Sequence, residues 1–221
     1  APSLSKSICG KDFVQDVLEL NRLFTNDNLP KNILSFFVSQ CIKKLPKPKI
    51  EAKFVSVLNN ADIEELCDAT EDAILVDGGF GWINPPQRKK LVDYWKGVLL
   101  VPERLLIVGK IDNVISGSIQ LIKPARSNEA QSHLCNLTTF FIASWARGYG
   151  LARMLIQEVE KEAKKNKFTV ITLEVRETQK RAIQIYYQAG FKKSGENPKS
   201  VLIGNKYYSG YYFYKDLIKN D

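Results

Sequence analysis

The chain has 221 residues, 44% hydrophobic and 25% charged, a balance that gives one buried core and excludes a disordered or fibrous protein. No apolar run reaches the roughly 18 to 20 residues that span a bilayer, and residues 1–10 lack the basic cap and apolar block of a secretory leader, so the expectation is a cytoplasmic protein without a membrane partner. Four scattered cysteines and a single histidine, His133, assemble no zinc spacing, while a net charge of +8 fits nucleic acid, an anionic membrane surface or a polyanionic ligand alike.

Residues 11–45 have helical spacing. Phe13, Val17, Leu20 and Phe24 share one face, and Ile33, Phe37, Cys41 and Leu45 another, with a turn at 25–30 between them. The proline-rich stretch 44–49 cannot continue a helix. This predicts a helical hairpin extension with its linker over 1–50 and a second domain over 51–221.

That second domain opens with alternation over 52–58 and an amphipathic pattern over 61–76, carried by Ile63, Leu66, Cys67 and Ile74. A glycine-rich and aromatic loop at 77–86 leads to helical periodicity over 88–99. Two strands, 104–110 and 114–122, flank Ile111-Asp112-Asn113, where Asp and Asn tolerate the left-handed turn. A polar loop at 125–132 precedes an apolar strand over 134–142. A helix over 148–165, a strand over 169–176, a helix over 179–189 and strands around Phe191 and at 207–214 complete a mixed α/β pattern, a sheet covered by helices.

The strand over 134–142 runs through the turn Arg147-Gly148-Tyr149-Gly150-Leu151-Ala152 directly into an amphipathic helix. Glycines permit a tight turn and let an anion approach the backbone. The unpaired N–H groups that open a helix, helped by its dipole, then make a pyrophosphate site. Arg147 adds a positive charge. Taken alone, Gly-x-Gly also fits plain turn geometry.

In context the chain resembles the GNAT superfamily of acyl-CoA-dependent N-acyltransferases over about residues 51–217. The family's cofactor motif is Arg or Gln, two residues, Gly, one residue, then Gly or Ala, and residues 147–152 match it. A second family block is met by Ala182, Ile183, Tyr186 and the pair Gly190-Phe191. The resemblance implies a mixed, mostly antiparallel sheet of six to seven strands flanked by helices, with acetyl-CoA as co-substrate and no metal. It also implies cofactor contacts at Arg147, Gly148, Tyr149, Gly150, Leu151 and Ala152, at Gln179 where many members carry Asn, and at the backbone of Phe141 and Ile142, where a splayed strand polarises the thioester carbonyl. Tyr186 stands where the family's thiolate-protonating tyrosine does, and a phenol stays protonated at neutral pH.

The general base is less determined, since many members carry Glu where Asn136 stands. Glu174 alternates opposite Leu173 and Val175 in the strand beside the acyl site, although an ion pair with Arg176 or a lysine is the ordinary role for such a residue. Glu129 and His133 are further candidates, and a water chain to solvent would also suffice. The Thr138-Thr139 strand and the closing segment 212–217 most resemble small-molecule members such as tabtoxin-resistance acetyltransferase, which makes the expected acceptor a small-molecule amine. Acetylation of a protein and a non-catalytic CoA-binding module are the alternatives. A nucleic-acid partner would need basic and aromatic residues interleaved on one face, and the sequence has no such stripe. The hairpin over 11–45 reads as a lid, a homodimer contact or a prop for the catalytic domain.

Overall fold

A computed structural model describes residues 48–77 and 81–218; the expected hairpin over 11–45 and the centre of the 77–86 loop lie outside them. The compact unit carrying the sheet begins at Lys49.

Strand β1 (Ile50–Val55) pairs antiparallel with β2 (Arg104–Ile111), and β2 with β3 (Val114–Ile122). The turn between β2 and β3 places Asp112 and Asn113 at φ of 49° and 69°, the left-handed conformation their short polar side chains allow. β3 pairs antiparallel with β4 (Leu134–Ile142), and β4 parallel with β5 (Val170–Arg176). β7 (Lys206–Asp216) lies between β5 and β6 (Lys192–Ile203) and is antiparallel to both. Among the described residues the sheet therefore has seven strands in the order β1-β2-β3-β4-β5-β7-β6. Nearly all of β2 and β3 is buried, as strands covered on both faces must be.

The covering helices follow from their apolar faces. Helix α1 (Asn60–Asp77) opens on a reciprocal cap, the Asn59 side chain accepting from the Asp62 amide at 2.8 Å and the Asp62 carboxylate accepting from the Asn59 amide at 3.3 Å. Helix α2 (Arg88–Val98) buries Leu91, Trp95 and Val98, and its Arg88 guanidinium is held by Glu64, Asp68 and Glu71 of α1. Two neighbours on β2 show where the helices lie. Lys110 reaches Asp62 of α1 at 3.0 Å, whereas a Cβ on Gly109 would meet Leu151 at 2.9 Å. Successive strand residues point to opposite faces, so α1 and helix α3 (Leu151–Lys165) cover opposite sides of the sheet. Helix α4 (Lys180–Gln188) shares the α3 side, because Lys215 of β7 binds both Glu160 of α3 and the Ala189 carbonyl just past α4 at 2.6 Å.

Some boundaries differ from the sequence reading. The first strand ends at Val55 rather than 58, since Asn59 already caps α1. The strand expected near Phe191 is a twelve-residue edge strand, 192–203, whose polar, largely exposed residues hide its alternation.

Candidate active site

Pairing changes partway along β4. It stays with β3 as far as Ile142, but its pairs with β5 end at Leu137↔Leu173, and beyond that point a wedge opens between the two parallel strands. At the opening Thr139 has φ of 50°, an outlier for a β-branched residue. Here Thr139 and Phe140 together face Ile119 of β3, because Thr138 pairs with Gln120 and Phe141 with Ser118. This is a β-bulge, which leaves one residue out of the ladder. Phe140 then faces the α3 and α4 side, its ring centroid 5.8 Å from Tyr186, and Phe141 faces the α2 side, 6.2 Å from Trp95.

From β4 the chain enters a 3-10 turn at Ser144–Ala146. The Asp72 carboxylate of α1 pins this turn by accepting hydrogen bonds from the Ser144 amide and from its Oγ, the latter at 2.8 Å. Gly148 and Gly150 follow at φ of 90° and 87°, values at which any side chain would be strained. This corrects the expected helix start at 148: the left-handed glycines cannot be helical, and α3 begins at Leu151 with Gly150 as its cap. The Gly150 carbonyl accepts from the amides of Arg153 and Met154 at 3.1 and 3.3 Å. Among the described residues the amides of Gly148, Tyr149, Gly150, Leu151 and Ala152 have no hydrogen-bond acceptor. They form a run of open donors at the positive end of the α3 dipole.

These donors border a cleft of about 1000 Å³ between α3 and α4, floored by Phe140, Phe141 and Ile142. Arg147 and Arg153 stand on one wall, Gln179, Lys180 and Arg181 on the other. The Arg147 guanidinium folds back to donate to the Ile142 carbonyl at 3.2 Å. Such a cleft, with two glycines at its narrow turn, open amides and cations on both walls, suits an extended polyanion.

Tyr186 is 4% exposed, its ring among Phe140, Phe191 and Phe213. Tyr187, its neighbour on α4, is 52% exposed and leans on Phe213. The reason is the twist of α4, which turns position 186 to the sheet. Burial raises the Tyr186 phenol above its ordinary range, since a phenolate would lose its solvation. Tyr186 is not on the cleft wall, but Phe140, which it touches, is.

Glu174 follows directly on Leu173, the last β5 residue paired with β4. Its carboxylate is on the exposed face and accepts a hydrogen bond from Ser200 Oγ of β6, rather than taking the ion pair expected with Arg176 or a lysine. Arg176 instead donates to Thr178 Oγ1 at 2.7 Å. Glu129 and His133 precede the N-terminal end of β4, the end away from the wedge, at about 3.3 Å per strand residue. For His133 that distance is too great to reach it. Asn136 also precedes the opening and donates to Thr172 Oγ1 at 3.2 Å. Sequence reasoning missed Asp72, whose partner is 72 residues away, and Ser200. Among the described residues no cluster of three or more His, Cys, Asp or Glu is placed to hold a metal, and no helix is long and apolar enough to cross a membrane.

The family model described as the Acetyltransferase (GNAT) family matches residues 68–191, more than half of the chain. The chain belongs to the GNAT acetyltransferases. The matched span runs from α1 through α4 to Phe191 and so contains both walls of the cleft. An uncharacterised N-acetyltransferase of the hisH-hisA intergenic region of Azospirillum brasilense is 56% identical over 127 residues, 58% of this chain and 76% of the relative. Two solved structures share the GNAT fold at low identity. YncA of Salmonella typhimurium, solved with its cofactor acetyl-CoA, superposes with a TM-score of 0.63 at 14% identity, covering 77% of this chain and 95% of that one. An N-acetyltransferase of Staphylococcus aureus Mu50 gives 0.66 at 14% identity, covering 77% and 99%. The protein is thus an acyltransferase of GNAT type.

Proposed function

We propose that the protein transfers the acetyl group of acetyl-CoA to the primary amine of a small molecule, by direct attack with both substrates bound. The observation that carries this reading is the row of open amides at 148–152 beside a wedge between two parallel strands. The amides and the Arg147 and Arg153 side chains hold the diphosphate, with Gln179 on the facing wall. Acetyl-CoA supplies the activated acyl group as a thioester. The main chain at Phe141 and Ile142, just past the bulge at Thr139 and Phe140, borders the wedge and polarises the acyl carbonyl.

The amine enters on the sheet face opposite the cleft, where Glu174 stands and takes its proton. Tyr186, kept protonated by burial, donates to the departing sulfur. An acceptor reached over an exposed carboxylate is cationic, which an alkylammonium satisfies. Support for a small acceptor comes from the likeness of the closing strand to small-molecule members; a panel of free amines and lysine peptides, with acetylated products weighed by mass spectrometry, decides between the classes.

The cradle is tested by calorimetry with CoA. Gly150→Glu places a carboxylate against the diphosphate, while Gly150→Ala imposes the same backbone strain without the charge. The Glu variant should lose at least about 100-fold more affinity than the Ala variant, on the order of 3 kcal/mol. Equal affinities in the two would show that the phosphates lie elsewhere.

A further inference from the structure

Glu174 belongs to an exposed strand face, where a side chain with three rotatable bonds ordinarily samples several rotamers. Here three local irregularities converge on its carboxylate. The first is in β5 itself, where Glu174 is the first residue past the end of pairing with β4. The second is in β7: Glu174 pairs with Tyr212 and Arg176 with Gly210, so the Glu174 side chain leans diagonally across Gly210. A Cβ at Gly210 would overlap Glu174 Oε1 and lie 2.5 Å from Ser200 Oγ and 2.7 Å from Ser200 Cβ. Gly210 is buried while Ser209 and Tyr211 on either side of it are half-buried, because the Glu174 and Ser200 side chains close over it. The third is in β6, whose register against β7 jumps from Asn197↔Gly210 to Val201↔Tyr208. Residues 198–200 therefore face Ser209 alone, and this wide bulge, braced by the Asn197 side chain accepting from the Lys199 amide at 3.1 Å, carries Ser200 over the glycine.

We propose that Ser200 and Gly210 are positioning residues that hold Glu174 as the base on the acceptor side, a reading that rests on the proposed function of Glu174. Ser200 Oγ donates to Oε1, and Oε2 has no partner among the described residues. One oxygen is anchored and the other is left to take a proton. In the step this serves, Oε2 accepts a proton from the substrate ammonium and the freed nitrogen pair forms the bond to the acyl carbon. The carbon–sulfur bond breaks, and the sulfur takes the proton of the Tyr186 hydroxyl. The acylated nitrogen sheds its remaining extra proton, the Tyr186 phenolate takes one up, and Glu174 gives its own to solvent, so that one proton is released per turnover. A fixed carboxylate matters because proton transfer requires hydrogen-bond distance at the moment of attack.

The test is steady-state kinetics with acetyl-CoA and an accepted amine, together with CoA calorimetry and thermal melting. Glu174→Gln should lower kcat about 100-fold. Ser200→Ala should lower kcat about tenfold, the loss of one charge-assisted hydrogen bond, with CoA affinity and melting temperature nearly unchanged, and Ser200→Thr should restore most of it. Gly210→Ala should lower kcat at least as much. In the Glu174→Gln background the Ser200→Ala change should have no further effect on kcat. If the two losses multiply instead, Ser200 acts as scaffold alone and the cradle is refuted. A wild-type rate in both Ser200→Ala and Gly210→Ala, with Glu174→Gln slow, refutes the cradle while keeping Glu174. A wild-type rate in Glu174→Gln overturns the base assignment and the cradle together. Should Gly210→Ala not fold, the Ser200 cycle decides.

Discussion

At the scale of single residues, the two positions under greatest physical constraint are Tyr186 and Thr139. Tyr186 carries a hydroxyl into a cluster of phenylalanine rings, and Phe would fill that space equally well. Tyr186→Phe should therefore leave the melting temperature and CoA affinity within error while kcat falls about 100-fold; unaltered turnover would reduce Tyr186 to a packing residue. Thr139 occupies a backbone region that costs a β-branched residue on the order of 1 to 2 kcal/mol. Replacing it with glycine should leave stability unchanged or higher by thermal melting, and should slow turnover, because the bulge would lose its fixed geometry. A large loss of stability would mean that the strain is compensated by side-chain contacts. Alternation alone placed Glu174 on the face away from Leu173 and Val175, as found. Asp72 and Ser200 were not legible, since each acts through a partner far along the chain and no local pattern marks either.

The elements divide the same way. Strands β2, β3 and β4 were legible to within a residue at each end because they are apolar runs bounded by turn residues, and α1 and α2 because their buried positions recur at helical spacing. The start of α3 was misplaced by three residues: sequence shows that glycine is present but not that its φ is positive. The edge strand β6 was expected near Phe191 but its length was not legible, for a different reason, its outer side being solvent and its inner side partly irregular. Between elements, the join that matters most for the cleft is Asp72, through which α1 holds the turn leading from β4 into α3. Asp72→Ala should weaken CoA binding about tenfold by calorimetry and lower the melting temperature, the cost of removing a charged partner from two donors. Full affinity in that variant would show that the glycine turn holds its shape unaided.

Across the whole molecule, burial creates a vulnerability to alkali. The Cys67 thiol is pushed up to about 11 and the Cys135 thiol to about 12, both chiefly by desolvation, and the Tyr186 phenol is raised as well. Groups raised in the folded state ionise first in the unfolded chain. Their contribution is thus intact below the ordinary thiol value near 9.0 and is lost as pH climbs from there toward 11 and 12, at about 1.4 kcal/mol per pH unit per group. The melting temperature should be flat through neutrality and fall above pH 9, less steeply in a Cys67→Ala/Cys135→Ala variant; equal slopes would exclude the thiols as the cause. The interrupted pairing of β4 with β5 has a mechanical counterpart. It makes the sheet two leaves hinged along four residue pairs, with α3 seated on the β1 to β3 leaf and α4 clasped through Tyr186 to Phe213 on the other. A ligand gripping both helices fastens the leaves like a buckle, so saturating CoA, at 100 times its Kd, should slow amide exchange in β5 and α4 by up to the ~2.7 kcal/mol of linkage. Slowing confined to residues 148–152 would mean that only one leaf is held.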